Sequence, residues 1–289
     1  MGYRLRGEFC IGFASSLSLV SLILLIFLHV GQISTSTVPR SISMAKVNTS
    51  NYGAALAAEF NDPIHGLYTT NTSLPLSNGT GLRTHYSWGL YSYCAFSPNT
   101  TSTTNSTSSS NLTTTSSSSD GEKKLHGKCS NSTVARKFQP YRALTADMIA
   151  NYTQFTDNIF AQASTRFDDS NYLGSLTTPA YYLILLGTIC SALAFFVGIL
   201  RHTYTFFLST LFALVGSLLL LVAAAIWTAA LASARSVNAL HLTRPDAAPA
   251  IALGIHLDAG NGLFILWAAF ATLFASLGPY LVSCCTFRG

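Results

Sequence analysis

The chain has 289 residues, of which 49% are apolar and only 9% charged, with a formal net charge of +5 and a mean hydropathy of +0.38. A soluble domain carries about 25% charged residues, so this deficit points to an integral membrane protein. The Lys and Arg excess is scattered, with no basic patch or aromatic-basic stripe, which argues against a nucleic-acid partner.

Residues 1–8 carry Arg4 and Arg6 and precede an uncharged apolar run from Phe9 to Val30. A helix needs about 20 apolar residues to cross a hydrocarbon core, so a first span is expected over 9–31. The competing reading is a cleaved signal peptide, whose apolar region runs only about 7–15 residues and ends at a small-residue cleavage site. Length, and the lack of a clear A-x-A site, favour a retained span. Gly2 does not make a myristoylation signal, because Arg6 stands where Ser or Thr is needed.

Residues 32–179 are polar and rich in Ser, Thr and Asn. All eight N-x-S/T sequons of the chain lie here, at Asn48, Asn71, Asn78, Asn99, Asn105, Asn111, Asn131 and Asn151. One such tripeptide says little. Eight confined to one segment between apolar runs place that segment in the lumen or outside the cell. The N-terminus then faces the cytoplasm, in keeping with Arg4 and Arg6. Within the loop, Ser97–Ser119 is almost all Ser, Thr and Asn, so the insert over 96–124 is expected to be disordered, with a composition that suits O-glycosylation.

On either side of this insert lie ordered candidates. Tyr86, Trp88, Leu90 and Tyr91 read as one strand, and Val134 and Phe138 as a second. Cys94 and Cys129 are the two cysteines of the polar loop, and in an oxidising compartment they are expected to form a disulfide. Zinc binding by these cysteines with His85 or His126 fits no usual ligand spacing, so neither a metal nor a cofactor is expected. From Leu144 to Phe167 apolar residues recur at three- and four-residue steps, which predicts an amphipathic helix over 143–168 that covers the sheet. Asp147, Gln154, Asp157 and Gln162 fall off its apolar face. That polar face lacks the Lys and Arg of a membrane-surface helix.

Three further uncharged apolar runs predict spans over 180–200, 206–232 and 262–283. A short cytoplasmic turn (201–205) joins the first two, and a second outer loop (233–261) the last two. The chain then ends on a cytoplasmic segment, 284–289, where Cys284 and Cys285 are candidates for S-palmitoylation. Small residues four apart form rows that suit helix–helix seams: Gly187 with Ser191, Ala194 with Gly198, Ala213 with Ser217, and Ala268 with Thr272 and Ser276. No Asp, Glu, Lys or Arg lies within a predicted span. Proton relays, voltage sensors and coupled transporters usually need such groups, so a transporter or channel is the least expected reading. His29 and Trp267 read as interfacial or packing residues. No H-E-x-x-H, G-x-S-x-G or phosphate-loop motif appears, and an enzyme is not expected.

The fold class that emerges is a mainly α membrane protein, a four-transmembrane-helix bundle carrying a small, disulfide-stapled, β-containing extracellular domain. In that context the run Trp88-Gly89-Leu90-Tyr91, followed by Cys94 and a second cysteine, resembles the claudin-like superfamily. It is closer to the fungal PalI and eisosomal Sur-type tetraspan family. The long glycosylatable loop, Phe138 and Pro140 in an F-x-P arrangement, and the Gly262–Phe270 segment closing on Cys284-Cys285 carry that closer likeness. Tyr91 stands where the pattern usually has Trp. The resemblance implies a non-enzymatic plasma-membrane protein of the cell cortex, concerned with membrane domains, endocytosis or wall integrity. Its expected partners are the lipid bilayer, the cell wall, and other membrane proteins or further copies of itself through small-residue helix faces. The alternative it implies is an auxiliary component of ambient-pH or mating and calcium signalling.

Overall fold

The computed structural model describes residues 2–60, 64–69, 71–98, 125–163, 165–199, 203–242 and 251–286, with backbone alone at 2–11, 98, 125–126, 203–204, 206 and 280–286. In chain order the elements are α1 (Gly2–Val30), α2 (Thr37–Ser41), β1 (Ala45–Asn48), α3 (Tyr52–Phe60), β2 (His85–Trp88), β3 (Tyr93–Pro98) and β4 (Leu125–Cys129). There follow α4 (Pro140–Asp147), α5 (Ala150–Gln162), α6 (Ser170–Ile199), α7 (Thr203–Ala234), a 3-10 turn (Arg235–Ala239), β5 (His241–Leu242), β6 (Ile251–Ala252), β7 (His256–Ala259) and α8 (Asn261–Thr286).

Helices α1, α6, α7 and α8 are long and apolar enough to cross a membrane. They form a closed ring in which α1 touches α6 and α8, and α7 touches the same two. Lipid is as apolar as Leu, so close approach and interhelical hydrogen bonds must hold such a ring. Gly187, Ser191, Ala194 and Gly198 are the buried row of α6. At Gly187 a Cβ would fall 2.7 Å from Leu220 of α7. Polar contacts tie the seams: Ser21 Oγ donates to the Ala269 carbonyl (2.8 Å), Ser209 Oγ to that of Ala194 (2.7 Å), and Trp267 Nε1 to Thr228 Oγ1 (3.2 Å). Of the small-residue row expected on α8, Ser276 is buried but Ala268 is exposed; the helix turns Ala269 and Leu273 inward instead. Phe196, Phe207 and Phe264 point outward, each more than 60% exposed, as a lipid-facing belt requires.

At one end of the ring sits an antiparallel five-stranded sheet, ordered β4-β3-β2-β1-β7. Two of its strands come from the membrane helices' own flanks, which the sequence did not reveal. β1 follows α1 after a turn and the short α2, and β7 runs straight into α8. They pair with each other, Ala45 opposite Ala259. The backbone continues the suture, with Gly260 N–H donating to Met44 O (2.9 Å) and Gly262 N–H to Ser43 O (2.7 Å). The second outer loop, expected as a plain connection, therefore supplies β7 as well as the β5–β6 hairpin.

Three further expectations are corrected. The strand at the motif stops at Trp88, because Gly89–Ser92 reverses the chain into β3, with Gly89 N–H bonded to Ser92 O at 2.9 Å. The second strand precedes Cys129 rather than following it. Pairing Cys94 with Cys129 in register runs β4 back from the insert, while Val134 is left exposed and Phe138 is an anchor on an irregular segment. The single helix expected over 143–168 is two. Met148 and Ile149 are extended (ψ 149° and 142°), and the break lets Tyr141 of α4 pack on Phe160 of α5 with ring centroids 4.9 Å apart. Most of the Ser/Thr-rich insert, together with 201–202 and 287–289, lies outside the described residues.

Candidate functional site

The residues that carry the motif converge where the sheet meets the ring. Trp88 is buried between Tyr86 and Tyr93, its ring roughly parallel to both at 6.0 and 5.7 Å. Phe138 meets it edge-on at 5.6 Å, and on its other side contacts Trp227 of α7 at 5.8 Å. Phe138 N–H also donates to Thr177 Oγ1 of α6 (3.1 Å). One aromatic column thus joins the sheet to two membrane helices.

Gly89 lies against the end of α1, where a Cβ would come within 2.5 Å of the Gly31 carbonyl oxygen. Leu90 is buried, and its carbonyl accepts from Arg136 N–H (3.3 Å). Tyr91 turns back toward the membrane helices. Its hydroxyl is hydrogen-bonded to His29 Nδ1 (2.9 Å), His29 Nε2 lies 3.1 Å from Thr188 Oγ1 of α6, and the Tyr91 ring meets Tyr181 edge-on at 5.4 Å. Burial holds the Tyr91 hydroxyl well above the ordinary tyrosine range, so it stays protonated across ordinary pH. His29, expected as an interfacial residue, is here the hinge pin between loop and ring.

Cys94 and Cys129 are disulfide-bonded and sit directly opposite one another on β3 and β4. Cys94 is completely buried. Beside it lies Gln32, a residue that no sequence pattern marked. Its φ of 59° turns the chain at the end of α1. The side-chain amide of Gln32 donates to the carbonyls of Arg40 (2.7 Å) and Ile42 (3.1 Å), and the Gln32 backbone carbonyl accepts from Ser92 Oγ.

A second polar cluster also escaped sequence reading. Arg83 and Asp147, both fully buried, form an ion pair at 3.3 Å. Asp147 also accepts from the Tyr86 hydroxyl (2.7 Å) and from Ser77 N–H, and Arg83 donates to the Leu74 carbonyl (2.6 Å). Burial raises the Asp147 carboxyl above its ordinary range, against the opposing pull of Tyr86, Ser77 and Arg83. It raises the Tyr86 hydroxyl further still, with Asp147 beside it adding to the shift. In the sequence Asp147 fell off the apolar face of a single helix and so read as solvated. The break at Met148 is what lets it turn inward.

The remaining singled-out residues are dispersed. Asn71, Asn78, Asn131 and Asn151 are exposed on the sheet side, and Asn48 is half-buried within β1; Asn99, Asn105 and Asn111 lie outside the described residues. Cys284 and Cys285 fall in the last turn of α8, where the backbone alone is described. Among the described residues no group of three His, Cys, Asp or Glu is placed to hold a metal ion. The motif is a joint: rings, a glycine contact and short hydrogen bonds that lock a sheet onto a helical ring.

Four apolar helices, an antiparallel sheet over one end and a disulfide across that sheet define a claudin-like four-span membrane protein. Within that class, a family model described as "SUR7/PalI family" matches residues 10–277, nearly the whole chain, and the chain belongs to that family. No curated protein and no solved structure gives a significant match.

Proposed function

We propose that this protein is a non-enzymatic tetraspan of the plasma membrane that organises cortical membrane domains of the eisosome type, in support of endocytosis or wall integrity. Its sheet domain faces outward and both termini face the cytoplasm. The observation that carries this reading is the joint itself. The sheet is fastened to α1 at Gly31 and Gln32, to α6 at Thr177, to α7 at Trp227 and to α8 at Gly260 and Gly262. A domain tied to every membrane helix moves with the ring as one body, which suits a lateral building block rather than a mobile receptor arm. Membership of the SUR7/PalI family supports a cortical setting.

A fluorescent fusion at the native locus tests the assignment. Stable cortical patches are expected, and a diffuse endomembrane signal would overturn it. Orientation is tested separately by glycosidase shift and protease protection on intact cells. The exposed Asn71, Asn78, Asn131 and Asn151 predict a glycosylated, externally cleavable loop. The family's name also joins a PalI branch, which favours a second reading as an auxiliary of ambient-pH or calcium signalling. Unchanged alkaline growth and calcium uptake after deletion would remove it.

A further inference from the structure

Between the sheet, the 133–139 segment and α4, a cavity of about 490 Å³ opens beside the aromatic column. That volume lies within the usual range for small-ligand sites, about 300–1,000 Å³. Trp88 and Tyr93 form its floor, and Arg136, Lys137 and Arg142 stand around it, with the hydroxyls of Ser77 and Thr133 on the wall. None of the residues lining it is acidic. The ion pairs among the described residues are Arg83–Asp147 and Arg166–Asp169, so the three cations of the cavity have no carboxylate partner there. The nearest buried acid, Asp147, is already held by Arg83, Tyr86 and Ser77. The Arg136 guanidinium is positioned by the Tyr93 ring, 5.0 Å from its centroid. Three uncompensated cations converging on one concave wall call for an anion.

The chemistry of the cations and their place along α6 narrow the kind of anion. Lys137 packs on α6 at Gly174, where a Cβ would meet its Cβ and Cδ at 3.3 Å. Gly174 lies on the sheet side of Ala180, where the uncharged apolar run begins. At 1.5 Å per residue the Lys137 contact lies about 9 Å along α6 from the start of that run, a position that suits the headgroups of a membrane around the helices. A guanidinium and an ammonium suit a phosphate oxygen cluster, the first through its planar fork and the second as a point charge.

We propose that this cavity binds a phosphate group, carried by a membrane lipid or free in solution, with Arg136, Lys137 and Arg142 as its ligands. The test uses the whole chain in neutral maltoside micelles, with inorganic phosphate and short-chain phosphatidylinositol as separate probes and binding followed by calorimetry. Saturable binding of at least one probe is expected. It should weaken about tenfold in Lys137→Gln and again in Arg142→Gln, the loss expected for one charge-assisted hydrogen bond. Both residues are exposed, so these variants keep the fold, and an unchanged melting midpoint verifies it. Saturation by phosphatidylinositol alone assigns the site to a lipid headgroup, whereas saturation by inorganic phosphate as well assigns it to the phosphate group itself. The double variant Lys46→Gln/Lys128→Gln removes two exposed cations that do not line the cavity and should bind as the parent does. Equal weakening in that control, or no saturation by either probe in the folded parent, overturns the proposal.

Discussion

A methyl group at Gly89 would meet two backbone atoms that cannot move aside, the Gly31 carbonyl oxygen at 2.5 Å and carbon at 3.2 Å, as well as Gln32 Cβ at 2.8 Å. Gly89→Ala should therefore cost about 1–3 kcal/mol, as overpacking in a close-packed site does. The check is a lowered melting midpoint beside Gly278→Ala, where nothing lies within 4 Å of the added carbon and no loss from overpacking is expected. Asp147→Asn makes a harsher case. It leaves Arg83 charged, fully buried and without a counter-ion, a change worth about 3–5 kcal/mol. Denaturant melts should show that loss, and Arg83→Met combined with Asp147→Leu should recover part of it, because the buried charge is gone although the Tyr86 hydroxyl, Ser77 N–H and Leu74 carbonyl lose their partners. If the single and double variants were equally unstable, lost packing and hydrogen bonds rather than the unpaired charge would be the cause. At this scale the sequence exposed Trp88, Gly89 and Phe138, whose residue types are uncommon in a Ser/Thr-rich loop. It hid Gln32 and Asp147, polar residues that look solvated until the chain's reversals bring partners from 8 to 70 positions away.

The strands show why local patterning reaches only part of an element. β2 announced itself through Tyr86 and Trp88, while β1 and β7 are four residues each and pair across more than 200 positions of sequence. No local signal carries such a partnership. β7 is also an outer strand of the sheet, and it is closed by a side chain. Asn238 accepts from Leu257 N–H (2.6 Å) and donates to the Leu257 carbonyl (3.0 Å), imitating a neighbouring strand. Asn238→Ala leaves both backbone groups unpaired and should cost about 1–3 kcal/mol, read as faster amide exchange at Leu257. On the opposite side the disulfide closes a loop of sequence separation 35. Loop-closure entropy at that length is worth about 4 kcal/mol. Cys94→Ser with Cys129→Ser should lower the melting point of the sheet while circular dichroism still reports the membrane helices. Simultaneous loss of both would mean that the sheet is needed to hold the ring together.

For the molecule as a whole, the four membrane helices were legible because hydrocarbon thickness dictates their length and charge content. Their order around the ring was not, since Gly, Ala and Ser occur on several faces of each helix and only packing chooses among them. Packing also buries tyrosines through the sheet domain, Tyr86 and Tyr93 of the aromatic column among them, and this makes the fold sensitive to alkali. Burial pushes the Tyr52 hydroxyl up to about 12 from its ordinary 10.0, and it raises Tyr68, Tyr86, Tyr93 and Tyr141 in the same direction. A raised acid holds its proton more tightly in the folded state than in the unfolded one. Between the two values the unfolded chain has released protons that the folded chain keeps, so stability falls as pH rises. The loss begins near pH 10, where unfolded tyrosines ionise. For Tyr52 alone it amounts to about 2 kcal/mol by pH 12. Tyrosinate absorbance at 295 nm should therefore lag in the folded protein and then rise steeply with cooperative unfolding. Tyr52→Phe, which cannot ionise, should shallow the alkaline fall in stability although it also gives up the hydrogen bond to Thr156. Superimposable titration curves for folded and denatured protein would show instead that these tyrosines, Tyr86 and Tyr93 included, are open to water, and the aromatic column could not then be what locks sheet to ring.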